Sequence, residues 1–347
     1  MDALKAADVT HPNGQTTHYY EGGTSDGIPL IFIHGWPDLA EIWKHQLKHF
    51  ATGSAGSEYR VVAPDLRGYG GSTSPKDKRS YSLETLVGEL VDFAHQLNIT
   101  KAVWVGHDWG AAVVSSLAAH HPELFLGMTL ISVPYRTVEL GLEHCLSLIN
   151  RDIYPEDEYP AGQFDYQVYY EKHPEESVAA YDIAAEKIPK GLHMPHDPSN
   201  YGKPSIRTAA VTKGGGWFGG HPEAVPDIPL GITLLDQQLH DNLVASHKKH
   251  GFFPPTAYYL NHDVNTEYAK REKNGGVLEF PVLFVDAKHD AVLSPSTTPK
   301  MGEVQREAVK DLTYETIEAA HWVQLEKPAE VNKVLETWLD NNVQYKC

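Results

Sequence analysis

The pentapeptide Gly106-His107-Asp108-Trp109-Gly110 constrains this chain more than any other stretch. It stands between the apolar run Ala102-Val103-Trp104-Val105 and the helix-like Ala111-Ala112-Val113-Val114-Ser115-Ser116-Leu117-Ala118. Strand, glycine-flanked turn and helix in immediate succession make a nucleophile elbow, in which the middle side chain stands above the sheet edge on a strained backbone. Asp108 occupies the place where serine is usual. A serine there needs a base to take its proton and suits acyl transfer, whereas an ionised carboxylate is already a nucleophile and suits displacement at an alkyl carbon. The expected chemistry shifts from ester cleavage to alkyl hydrolysis.

An elbow needs a parallel sheet around it, and the flanking sequence supplies one. Ile28–Ile33, Tyr59–Ala63, Lys101–Val105 and Gly127–Val133 read as strands, with Val282–Val285 and Leu312–Ile317 as the last two. Leu83, Leu86, Val87, Leu90, Val91, Ala94 and Leu97 recur at helical spacing, and Pro328 opens a final helix with Val331, Val334, Leu335, Trp338 and Leu339 on its apolar face. From about Pro134 to about Gly276 the strand rhythm gives way to aromatic, His- and Pro-rich sequence with helical segments. The strands on either side must pair with one another, so this is an insertion that leaves and re-enters one sheet edge as a lid. Residues 1–134 and 277–347 are expected to form the core, and 135–276 the cap. Within that lid, Lys213-Gly214-Gly215-Gly216-Trp217-Phe218-Gly219-Gly220 reads as a mobile loop. At 347 residues and 41% hydrophobic content the chain can bury a core without staples, and Cys145 and Cys347 read as an unpaired core thiol and a frayed tail.

Reactive groups then gather at the carboxyl edge of the sheet. His34-Gly35-Trp36-Pro37 ends the first strong strand, and the backbone N–H groups of Trp36 and Trp109 are expected to form an oxyanion hole. A cis bond before Pro37 would hold that loop in a tight turn, and His34 reads as structural. Chain order asks for an acid and a histidine after the nucleophile. His321, between the Leu312–Ile317 strand and the last helix, is the expected base. Asp286 and Asp290 both follow the Val282–Val285 strand. Asp290 lies on the loop that can reach His321 and is the expected acid, with Asp286 structural.

His34-Gly35-Trp36-Pro37, Arg67-Gly68-Tyr69-Gly70-Gly71-Ser72, Gly106-His107-Asp108-Trp109-Gly110, Asp290 and His321-Trp322 together resemble the soluble epoxide hydrolases of the α/β-hydrolase superfamily, over nearly the whole chain. That resemblance implies an α/β-hydrolase fold, with a mostly parallel central sheet flanked by helices and an inserted, mainly helical cap. It implies two lid tyrosines, Tyr166 and Tyr259, that hold the epoxide oxygen and supply its proton, and a substrate lined by Trp36, Pro37, Trp109 and Trp322. The product would be a vicinal diol, formed through an ester on Asp108 with no metal or organic cofactor. Haloalkane dehalogenases share the aspartate and a following tryptophan but place asparagine where Trp36 stands. Fluoroacetate dehalogenases carry arginine where Trp109 stands. A non-catalytic, ligand-binding relative would be marked by a missing triad member, and none is missing.

The formal charge of -17, from 29 Lys+Arg against 46 Asp+Glu, argues against a nucleic-acid partner. No stretch has the apolar length of a signal peptide or membrane span, so a cytoplasmic monomer or homodimer acting on a small-molecule epoxide and water is expected. Asn98-Ile99-Thr100 fits a glycosylation pattern but reads as the end of a helix before a buried strand.

Overall fold

The computed structural model describes residues 4–52 and 58–343, and Cys347 lies outside them. Strands β1 (Lys5–Thr10), β2 (Thr16–Gly23), β3 (Ile28–Ile33), β4 (Tyr59–Pro64), β5 (Ala102–His107), β6 (Phe125–Ile131), β7 (Val282–Ala287) and β8 (Leu312–Ile317) form one sheet in the order β1-β2-β4-β3-β5-β6-β7-β8. From β4 to β8 every pairing is parallel, and β1 and β2 are antiparallel additions at one edge. Central parallel strands are covered on both faces, which is why β3, β5 and β7 are nearly unbroken buried runs.

The edge hairpin is absent from the sequence reading. Along β1 every residue but Val9 is exposed, so no two-residue alternation of apolar side chains announces a strand. The available signal was Asn13-Gly14, whose Gly14 sits at φ 78 in a turn closed by the His11 N–H donating to the Gln15 carbonyl at 2.8 Å.

Helix α1 (Lys44–Ala51) follows the β3 loop, and α2 (Leu83–Gln96) starts at Ser82, whose hydroxyl oxygen accepts from the Thr85 N–H. Helix α2 buries Leu83, Leu86, Val87, Leu90 and Ala94, as their spacing predicts. Just beyond it Asn98 takes the left-handed conformation (φ 56) that ends a helix, the corner read from the glycosylation-like triplet. Helix α3 (Trp109–His120) is buried at every position, so it has no polar face. The final helix, Pro328–Asn342, buries Val331, Leu335, Trp338 and Leu339.

Between β6 and β7 the chain forms an inserted helical cap without a strand, Pro174–Ala184 and Gln237–His250 being its longest helices. It leaves and returns at one corner, where the Tyr135 hydroxyl donates to the Gly276 carbonyl at 2.6 Å and Arg136 pairs with Glu272. Within the glycine-rich stretch one side chain is anchored in the cap, that of Trp217, while Gly214, Gly215, Gly219 and Gly220 are exposed. Trp217 is 9% exposed, its indole N–H donates to the Ser177 hydroxyl at 3.0 Å, and its ring lies 4.9 Å from both Tyr170 and Tyr181. Cys145 is buried and unpaired. Among the described residues no helix is long and apolar enough to cross a membrane.

Candidate active site

Sheet register brings the carboxyl ends of the parallel strands level, pairing Ile33 with Gly106, His107 with Ile131 and Ala287 with Ile317. The segments just beyond them carry His34 to Pro37, Asp108, Asp290 and His321, which therefore share one edge.

Asp108 sits at φ 54 and ψ -126, a conformation that costs a non-glycine residue about 1–3 kcal/mol. The flanking glycines act through size. A Cβ on Gly106 would lie 2.7 Å from the Ala111 Cα, and one on Gly110 would lie 2.2 Å from the Ile33 carbonyl oxygen. On Gly35 it would come within 2.4 Å of the Asp108 Cβ, so the β3 loop can lie against the nucleophile only without a side chain there. In that position the Trp36 N–H donates to Asp108 Oδ1 at 2.6 Å. Trp109 opens α3, and its N–H has no acceptor within the helix. The Trp36-Pro37 peptide is cis. His34 donates from Nδ1 to the Gly35 carbonyl at 2.9 Å and accepts the Leu66 N–H at Nε2 at 2.8 Å, so backbone occupies both its nitrogens.

His321 stands between two carboxylates. Its Nδ1 donates to Asp290 Oδ2 at 2.6 Å, and its Nε2 lies 3.4 Å from Asp108 Oδ2. Burial opposes a charge on the ring, yet Asp290 and Asp108 together push its pKa up to about 10. Asp290 accepts from the Val292 and Leu293 N–H groups at 2.8 and 3.1 Å through its other oxygen. Burial would raise its pKa, but His321 and these donors hold it below the usual carboxylate value. Asp286 accepts from the hydroxyls of Ser294, Ser296 and Tyr314 at 2.7, 2.6 and 2.8 Å.

Two groups missing from the sequence reading hold the backbone of His321, whose carbonyl accepts from His107 Nε2 at 2.9 Å and from the Ser132 hydroxyl at 2.7 Å. Burial pushes the His107 pKa down to about 4, so it donates as a neutral ring. Its place beside Asp108 was the signal available for it. Ser132, at φ 66 just past β6, offered none.

Tyr166, in the helix Asp165–Lys172, and Tyr259 meet edge to face with ring centroids 5.6 Å apart. Tyr259 lies 5.1 Å from Trp109 and 6.2 Å from Trp36 and stacks on Tyr170 at 4.6 Å. Burial, reinforced by the Asp108 charge, raises both phenols well above their usual pKa, so each keeps its proton. The Gln167 amide donates to the Tyr166 hydroxyl oxygen at 2.9 Å, which leaves the phenolic proton for another acceptor. Of the neighbouring tyrosines, Tyr258 donates to the Arg67 carbonyl and Tyr169 to Glu176.

Of the residues expected to line a substrate, Trp36 is half-buried against Tyr181 and Tyr259, and Trp109 is 3% exposed. Pro37 is buried, its carbonyl accepting from His247 Nε2 at 2.9 Å. Trp322 is 8% exposed, and its indole N–H donates to Asp38 at 2.8 Å. Among the described residues no group of three or more His, Cys, Asp or Glu side chains is arranged to hold a metal ion.

Residues 28–178 match the family signature described as the alpha/beta hydrolase fold. Bifunctional epoxide hydrolase 2 of Sus scrofa is 30% identical over 347 residues, covering 99% of this chain and 56% of the relative. The chain thus spans about half the length of that protein, and 55% of its Rattus norvegicus and Mus musculus counterparts. Epoxide hydrolase A of Mycobacterium tuberculosis is 28% identical over 337 residues, covering 94% of this chain and 95% of the relative. Among solved structures, Epoxide Hydrolase A from Mycobacterium thermoresistibile is similar over 98% of this chain and 100% of its own, with TM-score 0.74 and 26% identity. A Vigna radiata epoxide hydrolase mutant covers the same shares at TM-score 0.74 and 25% identity.

Proposed function

We propose that this chain, similar to epoxide hydrolases along nearly its whole length and matching the alpha/beta hydrolase fold over residues 28–178, converts small-molecule epoxides and water to vicinal diols through an ester on Asp108. One observation carries the reading: a carboxylate on a strained elbow shares its surroundings with two phenols that its own charge helps to keep protonated. We assign the core to residues 1–134 and 277–347 and the cap to residues 135–276, so that nucleophile and proton donors come from opposite sides of the boundary.

Asp108 Oδ1 is held by the Trp36 N–H, which leaves Oδ2 to attack an epoxide carbon. As that carbon–oxygen bond breaks, the ring oxygen takes a proton from Tyr166 or Tyr259, because an unassisted alkoxide is a poor leaving group. The new ester has Oδ1 as its carbonyl oxygen. His321 then takes a proton from water, the hydroxide adds to the ester carbonyl, and the N–H groups of Trp36 and Trp109 stabilise the oxyanion. Collapse expels the diol oxygen, which takes the proton of the added hydroxyl, and restores the Asp108 carboxylate; the proton that His321 gives up once the ester has formed returns to the ionised tyrosine, so the cycle closes.

Charge orders the two steps. While Asp108 is ionised, His321 is held as a cation by its two carboxylates. Esterification removes one of those negative charges, which lowers the His321 pKa and makes the ring available as a base.

A single turnover with excess enzyme in oxygen-18 water tests the scheme. The label is expected in Asp108 and not in the diol, whose new oxygen comes from the carboxylate. Label in the first-turnover diol would mean direct attack by water and would overturn the proposal. Asp290→Asn should slow ester decay about 100-fold or more, as loss of an oriented base does. Asp286→Asn, surrounded by three hydroxyl donors, should act on stability instead, and the reverse ranking would reassign the acid.

A further inference from the structure

Asp38, the residue after Pro37, is fully buried, and its own N–H donates to the Gly35 carbonyl at 3.0 Å. Its Oδ1 accepts from His193 Nε2 at 2.8 Å, and its Oδ2 accepts from the Trp322 indole N–H at 2.8 Å. His193 belongs to the cap, just past the helix Ile188–Leu192, and its Nδ1 donates to the Pro189 carbonyl at 2.8 Å. Both ring nitrogens are therefore engaged, one by the cap backbone and one by Asp38. The Trp322 ring lies 4.4 Å from the His193 ring and 4.8 Å, edge on, from His321. Burial would push the Asp38 pKa up, but His193, aided by Trp322, keeps it below the usual value.

A carboxylate sealed from water is a poor source of stability compared with an apolar side chain of the same size, so its worth lies in the geometry that it specifies. Here it joins three segments distant in sequence: the β3 loop that carries the Trp36 N–H, the cap, and the loop that carries His321. We propose that Asp38 is a positioning residue for ester hydrolysis, which sets the His321 ring through Trp322 and, through His193, makes that setting depend on a seated cap. The inference rests on the Asp108 ester described above. On this view Trp322 is the arm that transmits the position, and it does not line the substrate.

Ester formation and decay can be followed separately by rapid mixing with styrene oxide, acid quench and intact mass measurement. Trp322→Phe keeps an aromatic ring but removes the indole N–H. Its ester should decay about tenfold to a hundredfold more slowly, the usual cost of a misplaced base, while formation stays within about twofold of the wild type. Asp38→Ala should reproduce the slow decay. Asp38→Asn should recover most of it, since an amide can still accept from Trp322 and donate to a neutral His193 Nε2. Decay at the wild-type rate in Trp322→Phe would overturn the proposal. So would equal slowing of formation and decay, or Asp38→Asn as slow as Asp38→Ala. A wild type that forms no ester would overturn the Asp108 reading itself, which the other outcomes leave standing.

Discussion

His321→Gln is expected to stall at the ester: mixing it with styrene oxide should add one substrate mass to the protein and yield almost no diol, even in the first turnover. Glutamine can fill the space between Asp108 and Asp290 but cannot take a proton from water, and loss of a positioned base costs on the order of 100- to 10,000-fold. Turnover at the wild-type rate would show that another group is the base. The same group should govern the pH profile of the wild type. Ester decay needs neutral His321, so its rate should rise with pH and level off at an apparent pKa well below the value of about 10 that the ring has beside ionised Asp108. Comparing that profile with an NMR titration of His321 in the free protein measures the gap. Identical pKa values would mean that the Asp108 charge does not control the base.

The second large effect concerns the lid phenols. Halide leaves as a stable anion, whereas an epoxide oxygen must be protonated as its bond to carbon breaks, so paired donors opposite the nucleophile suit ring opening. Tyr166→Phe and Tyr259→Phe should each slow alkylation of Asp108. The double variant should nearly abolish it, because either phenol can partly cover for the other, and circular dichroism should show the fold intact. Wild-type protein should release negligible halide from 1-bromobutane. Brisk halide release that is indifferent to both substitutions would replace this reading with a dehalogenase.

What was legible in the sequence had local causes. The elbow announces itself because strand, glycines and helix are contiguous. Asp290 and His321 could be placed because each follows a strand whose end the parallel register must bring to the same edge. Tyr166 and Tyr259 came through family resemblance, since no spacing separates them from Tyr169, Tyr170 or Tyr258. Their distinction is three-dimensional: those two feel the Asp108 charge, while Tyr258 and Tyr169 are bound elsewhere. The contacts that escaped reading join residues far apart, as Ser132 and His107 do in holding the His321 carbonyl, or His193 in reaching Asp38. The packing of Trp217 against Tyr170 and Tyr181 escaped reading for the same reason, since nothing local marks one indole in a glycine-rich stretch as buried.

The corner where the chain enters and leaves the cap has a consequence for how such a molecule can change over generations. With Tyr135 bonded to Gly276 and Arg136 to Glu272, the two ends of the inserted segment are held together whatever lies between them. Closing a loop costs only slightly more as the loop lengthens, so segments of different length and composition can be exchanged at this corner without disturbing the strand register beneath. Mutation can then rewrite selectivity in the cap while the elbow is inherited unchanged, and recombination between relatives has a natural joint at Tyr135 and Gly276.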